Sequence, residues 1–509
     1  MKKQFFVLFL FLTRLCSAQQ APPAVCYEIF VRSFADSNGD GIGDLNGITA
    51  KLDYLQDLGI KAIWLTPICK SKSYHKYAVE DYYGIDPEYG TLDDYKNLIA
   101  QAHKRGIKVL KDLVINHSSS LHPWFLEAKK GADNPYRNFY TWMSPKAIDS
   151  LGIAVRERTP DSWEANPWHF AAQGDTEKYY GLFGRSMPDL NYDNPQVRQE
   201  IYKIGKYWLQ LGVDGFRMDA AKHIYPDWDA PKSHAFWQEF RREMETVNPN
   251  VYVVGEVWTS AEKVAPFFKG LKANFDFDLH TALIRVVQNG KDDSLVRSLK
   301  NHFATYARVS PDFIDATLLT NHDQNRIGSK LKGDAGKLKA AAGLLLTLPG
   351  EPYLYYGEEL GTLGVKPDEQ IREPFLWDAK ATDTMRTHWA DRRLLSTDTT
   401  VTPLHMQQKD PQSLFNHYKK LIAFREKEPA LRQVLRPNIE VFPAQPELVA
   451  FIRPHATGDL LVVQNISDTA QQLKPNAAFK TIVFKTEKEG TLQSGMLQVP
   501  PYGLVVLKK

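Results

Sequence analysis

Eight short apolar stretches recur along the chain, at residues 27–31, 62–66, 109–115, 215–219, 251–256, 274–278, 316–320 and 353–356, rich in β-branched and aromatic residues and bounded by polar or turn-forming ones. Runs of this length and composition predict buried strands. Between many of them the apolar positions switch to a helical period, as in residues 92–105 and 197–211, which predicts amphipathic helices. Strand and helix alternating in this number predict an α/β fold, a closed (β/α)8 TIM barrel. The alternation breaks twice. Residues 118–196 are rich in Pro, Trp, Asn and Gly and too long for a strand-to-helix loop, which predicts a small domain inserted after strand 3. Beyond a predicted helix at 411–428 come short strand-like segments at 448–452, 460–464 and 504–507, which predict a C-terminal antiparallel β domain. The chain thus divides into a leader (1–18), a barrel (19–117 and 197–432), an inserted domain (118–196) and a C-terminal β domain (433–509).

The first residues change the picture of where this fold works. Lys2 and Lys3 precede an apolar run from Phe5 to Leu12, and Ser17-Ala18 offers a small-residue cleavage site, the pattern of a secretory signal cut after Ala18. A lipoprotein signal is disfavoured because Leu15, not a small residue, precedes Cys16. No run is long and apolar enough to span a bilayer. A soluble exported protein is expected, periplasmic or secreted, and monomeric. A net charge of +3 over 509 residues, with no basic block, gives no reason to expect a nucleic-acid partner. Past the signal only Cys26 and Cys69 remain; on parallel neighbouring strands they fall at opposite ends, about 20 Å apart at ~3.3 Å per residue, so no disulfide is expected.

Candidate chemistry gathers at the strand ends. Gly212 to His223 reads GVDGFRMDAAKH, and Arg217 and Asp219, two apart on a strand, share one face, where the guanidinium can hold the carboxylate ionised. A buried Arg/Asp pair is structural as often as catalytic, but two more strands end in acids, at Glu256 in VYVVGEVW and at Asp323 in TLLTNHD, and a fourth, DLVINH, ends in His117. Together these four segments resemble the signature regions of the α-amylase family of glycoside hydrolases, in the family's chain order, and the resemblance extends over nearly all of the mature chain. It implies a retaining hydrolase of α-1,4-glucosidic bonds with Asp219 as nucleophile, Glu256 as general acid/base and Asp323 binding sugar hydroxyls. It further implies that Tyr77 stacks under the sugar being cleaved, that His117, His322, Arg217 and Arg372 serve the same subsite, and that Lys222 and His223, a pair usual in true α-amylases, touch the leaving-group sugars. The expected partner is an α-glucan such as starch or maltodextrin.

The loop DSNGDGIGD places oxygen donors at Asp36, Asn38, Asp40, the carbonyl of Ile42, and Asp44, a set able to wrap a hard cation. It begins like an EF-hand loop but has Gly47 where the bidentate Glu would stand, which disfavours a helix-loop-helix sensor. A metal-free Asx turn is the plainer alternative. A similar loop in oligo-1,6-glucosidase-like relatives holds a structural Ca²⁺, the cofactor the resemblance implies. A second family site would draw on Asn116, Asp189 and the His223 carbonyl, its remaining ligand unidentified. The segment MPDLN at 187–191 resembles a group intermediate between oligo-1,6-glucosidases and neopullulanases, while the early first strand leaves no room for the N-terminal β domain of neopullulanases and cyclomaltodextrinases. Ala78 stands where relatives that release single glucose units have an Asp paired to an Arg; its methyl group is expected to leave Arg372 free and open the pocket into a cleft. An endo-acting α-amylase is therefore expected, with an α-glucosidase, an oligo-1,6-glucosidase, a neopullulanase-type enzyme or a non-catalytic glycan-binding subunit as the alternatives.

Overall fold

A computed structural model describes residues 25–152, 166–390 and 393–509. The leader expected at residues 1–18 and part of the expected inserted domain lie outside the described residues. Eight parallel strands close into a barrel: β1 (Cys26–Ile29), β2 (Ala62–Leu65), β3 (Lys108–Leu113), β4 (Gly215–Met218), β5 (Tyr252–Gly255), β6 (Ala273–Phe275), β7 (Ile314–Leu318) and β8 (Glu351–Tyr355). Each pairs with its sequence neighbours, and β8 returns to β1 with Cys26 opposite Tyr353. Side chains alternate along every strand. One set, including Trp64, Leu110, Val254, Phe275 and Tyr353, fills the barrel; the other, including Tyr27, Ile63, Val109, Phe216 and Met218, packs against the helices outside. On β4 this alternation sends Phe216 and Met218 outward and Arg217 inward. Close approach also matters there, since a Cβ on Gly215 would stand 2.0 Å from the Tyr252 carbonyl of β5.

All eight expected strands form, with shifted ends. Val31 begins a short helix (Val31–Phe34), Asp278 lies in the helix Phe277–Asn289, and Asp219 and Glu256 sit just past β4 and β5. The ladders stop where the loops peel away from the barrel, which frees these side chains to turn over its mouth. β7 begins two residues earlier than the apolar pattern suggests because it includes Asp315, a buried carboxyl that interrupts the pattern. The outer helices start on capping residues: Thr91 and Asp94 form a capping box for Leu92–Lys104, and the Asn194 side chain with Pro195 opens Pro195–Gln210.

Between β3 and the helix Pro195–Gln210, a three-stranded antiparallel sheet (Trp142–Met143, Lys178–Tyr180, Trp168–Phe170) stands on the same side as the strand ends. The His117–Asp189 bridge ties this segment to the exit of β3. C-terminal to the barrel lie a five-stranded and a three-stranded antiparallel sheet, including strands Leu448–Arg453, Leu460–Asn465 and Leu504–Lys508. Cys26 and Cys69 are both buried and free. Among the described residues no helix is long and apolar enough to cross a membrane.

Candidate active site

The loops after β2, β3, β4, β5, β7 and β8 enclose a cavity of about 480 Å³ whose lining includes Tyr77, His117, Asp219, Lys222, His223, Glu256, Asp323 and Arg372. Arg217 and His322, the other two expected residues, lie fully buried beneath it. Every catalytic and substrate-binding residue expected from the sequence therefore converges on one place.

Arg217 organises the floor. Its Nη1 donates to Asp219 Oδ1 at 2.6 Å and to both oxygens of Asp112 at 3.1 Å, and its Nη2 lies 2.8 Å from Glu256 Oε2. Register explains the reach, because Asp112 of β3 and Val254 of β5 flank Arg217 on either side. One cation holds two buried acids, Asp112 and Asp219, and the half-buried Glu256. Burial pushes the Asp219 carboxyl up to about 6, Arg217 working against the rise and Asp112 adding to it. Glu256 is likewise raised, by burial first, against the pull of Arg217 and with the charges of Asp219 and Asp323 adding to it. Its Oε2 takes both Arg217 and the backbone N–H of Ala220 (3.0 Å), so Oε1 is the oxygen left to carry a proton.

Asp323 has the opposite surroundings. Arg372 Nη2 donates to it at 2.9 Å and His322 Nε2 lies 3.2 Å away. Burial alone would raise its pKa, but these cations hold it well below the usual carboxylate range. The His322 ring itself is driven up to about 10: burial opposes its charge, but Asp323 on one side and Glu28 on the other outweigh burial, with Nδ1 donating to Glu28 Oε1 at 2.5 Å. Tyr77 stacks flat on His322 (5.4 Å, 10°), and its hydroxyl bonds His322 Nε2 at 2.5 Å and Asp112 Oδ2 at 3.2 Å. His117 is held neutral, burial lowering it to about 3, and its Nε2 donates to the Tyr77 carbonyl at 3.2 Å. Lys222 Nζ stands 3.6 Å from Asp227, and the His223 ring meets Phe183 edge-on.

One expectation is overturned. Arg372 is not left free by Ala78: besides Asp323, it donates to Asp368 Oδ2 (3.3 Å), to the Tyr74 hydroxyl (3.0 Å) and to the His322 carbonyl (2.9 Å). The compensating carboxylate comes from the same loop, one helical turn before the arginine, so the residue after Tyr77 is not needed to neutralise it. The sequence reading also missed Asp112, Glu28, Tyr74, Asp368 and Trp258. Asp112 and Trp258 sit inside motifs already singled out, Asp112 two residues after the inward-facing Leu110 of β3 and Trp258 on the loop past β5; Glu28 and Tyr74 carry no local signal. Trp258 is 44% exposed and lies flat on Phe277, ring centroids 4.2 Å apart.

The acidic loop at 36–44 is wound on its own backbone. Asp36 accepts from Gly39 and Gly41 N–H (both 2.7 Å), Asp40 from Ile42 N–H (2.8 Å), and Asp44 from Ser37 N–H (2.8 Å). Among the described residues no group of three or more His, Cys, Asp or Glu side chains is drawn together as a metal cage.

A closed barrel with three acids from three strand ends, two of them on one guanidinium, is the architecture of a glycoside hydrolase. The profile of the family described as "Alpha amylase, catalytic domain" matches residues 28–434, and that of the "Alpha-amylase SusG C-terminal domain" matches residues 448–506. The chain belongs to the α-amylase family. It is similar to Alpha-amylase 3 of Dictyoglomus thermophilum, with 40% identity over 99% of this chain and 97% of the relative. It is also similar to the oligo-1,6-glucosidase of Parageobacillus thermoglucosidasius, with 32% identity over 87% and 90%. The crystal structure of an α-amylase from H. orenii superimposes with a TM-score of 0.87 and 42% identity, covering 95% of this chain and 99% of that one.

Proposed function

We propose that the protein is an exported, monomeric, retaining and endo-acting α-amylase that hydrolyses α-1,4-glucosidic bonds of starch and maltodextrins. The observation that carries the chemistry is the single Arg217 guanidinium shared by Asp219 and Glu256 at the cavity floor. Acids gripped by two nitrogens of one fork suit the short spacing of retaining enzymes, about 5–5.5 Å, better than the wider spacing that admits a water. Asp219, kept ionised by the Arg217 bond, attacks the anomeric carbon; Glu256 gives its proton to the departing glycosidic oxygen, then takes one from the water that releases the sugar. The Asp323 carboxylate, held charged by His322 and Arg372, binds hydroxyls and stabilises the oxocarbenium-like transition state, while Tyr77 offers its ring to the sugar face.

Export is supported by the leader pattern of residues 1–18, and the α-amylase reading by the relatives named above. The second reading, an α-glucosidase, is favoured by the Asp368–Arg372 pair at the cavity rim, which could close around a chain end. A maltoheptaoside capped at its non-reducing end and carrying a chromophore at the other separates the two. Internal cleavage with release of the α-anomer is expected; activity confined to uncapped chains makes the enzyme an α-glucosidase, and a β-anomer overturns retention.

For a structural Ca²⁺ we propose the loop with Asp36, Asn38, Asp40, the Ile42 carbonyl and Asp44, an all-oxygen set suited to a hard cation. At the second family site the Asn116 amide donates to the His223 carbonyl at 2.6 Å and its oxygen faces His117 Nδ1 at 3.0 Å, while Asp189 is bridged to His117, so the remaining ligand there stays unassigned.

A further inference from the structure

The acidic loop and the cavity meet at Trp389, whose backbone bonds the loop and whose indole packs toward the cavity. On the loop side, the backbone N–H groups of His388 and Trp389 both donate to the Gly41 carbonyl (2.7 and 3.1 Å), and Asp36 N–H donates to the Met385 carbonyl (2.9 Å). On the cavity side, the Trp389 ring stacks on Tyr74 (5.2 Å, 24°), and its Nε1 donates to Ser33 Oγ at 2.8 Å. Both contacts lead to Arg372. Tyr74 accepts a bond from Arg372 Nη1, and Ser33 Oγ donates to the Arg372 carbonyl at 2.5 Å. Phe30, tilted against Trp389 at 6.0 Å, completes the cage by lying under the Arg372 guanidinium at 5.2 Å.

We propose that Trp389 is a positioning residue: through Tyr74 and Ser33 it fixes Arg372, and with it Asp323, and it passes the conformation of the loop at 36–44 on to the cavity. The proposal rests on the function above only for the reaction that reads it out. A planar guanidinium donates in a fixed fork, so its aim at Asp323 depends on every other acceptor staying in place. The Tyr74 hydroxyl is one of those acceptors, and the ring that carries it is held flat by Trp389. With the indole gone, Tyr74 can swing, the fork loses an acceptor, and Asp323 relaxes from where the sugar hydroxyls need it. An error of about 1 Å at such a group costs up to about a hundredfold in rate.

The test is a pair of mutant cycles with a chromogenic maltooligoside, read as kcat and KM alongside melting temperature. Trp389→Leu is expected to lower kcat by about ten- to a hundredfold, and Trp389→Phe, which keeps a stacking ring, to recover most of it. Tyr74→Phe, which keeps the ring and loses only the hydroxyl, is expected to lower kcat alone but to add nothing to Trp389→Leu. Asp40→Ala, which loosens the loop, should follow the same pattern. A Trp389→Leu enzyme with unchanged kcat and a lower melting temperature would mean that the indole is only packing, and multiplicative losses in either double variant would break the proposed route. If the wild-type protein hydrolyses no α-glucan, the proposed function falls instead, and maltoheptaose binding by calorimetry reads the same cycles, with the same non-additivity required.

Discussion

Arg217 shows how one side chain can set the protonation of a whole site. It is buried with three carboxyls around it, so neither Asp219 nor Glu256 can be understood alone. With Asp219 as the proposed nucleophile the reaction needs it ionised, and its carboxyl is raised to about 6, so kcat/KM is expected to fall as pH drops through about 6. Replacing Asp112 by Asn removes a neighbouring negative charge and a competitor for Arg217, and should move that acid limb downward; a limb that stays in place would show that another group governs it. The sign for stability is opposite. Between the ordinary value near 4 and about 6 the folded protein holds a proton that the unfolded chain has lost, so this carboxyl works against stability as pH rises through that window. At this scale the sequence was legible where spacing speaks: two residues apart on a strand put Arg217 and Asp219 on one face. It was silent on Glu28, which contacts His322 across 294 positions of chain, and on the four-way bonding of Arg372, because long-range partners leave no local pattern.

At the scale of elements, strand existence was readable and strand ends were not. Apolar runs mark what must be buried, but a ladder ends where its neighbour diverges, and buried acids such as Asp315 and Glu351 break the pattern inside true strands. The acidic loop is the reverse case, since its donor spacing is plain in the sequence while its occupant is not. A cation that binds only the folded loop stabilises it by mass action, so chelation is expected to lower the melting temperature of the wild-type protein and to do so less in Asp40→Ala. An equal chelator effect in both would place the stabilising ion elsewhere, and the site of Asn116 and Asp189 then becomes the one to vary.

The barrel and the C-terminal sheet share a core, which bears on how the whole molecule unfolds. Val449, Phe451, Leu460, Val462, Leu504 and Val506 belong to the same buried cluster as the outer barrel helices, while Ala450, Leu461, Val463 and Val505 on the alternate positions form the sheet's own second core. The approach is tight: a Cβ on Gly343, in the helix Ala335–Thr347, would come within 2.2 Å of Gln464 Oε1. Two buried arginines cover the carbonyls at the end of that helix, Arg425 from the barrel bonding Leu346 and Leu348 and Arg453 from the sheet bonding Thr347 (2.9 Å), with Ala430 of the helix Pro429–Arg432 a second acceptor for Arg453 (2.8 Å). Burial and the neighbouring Arg425 push the Arg453 guanidinium well below its usual pKa, so this cation is kept for its hydrogen bonds at an electrostatic cost. Arg453→Met fills much of the space but leaves those carbonyls unpaired, at roughly 1–3 kcal/mol for each buried group. The expected outcome is a lower melting temperature with one calorimetric transition retained, and a chain cut after Val434 should fail to reach the folded, active state. Two separate transitions, or an active barrel without the sheet, would show that the C-terminal sheet is an accessory and that the shared core does not couple the two.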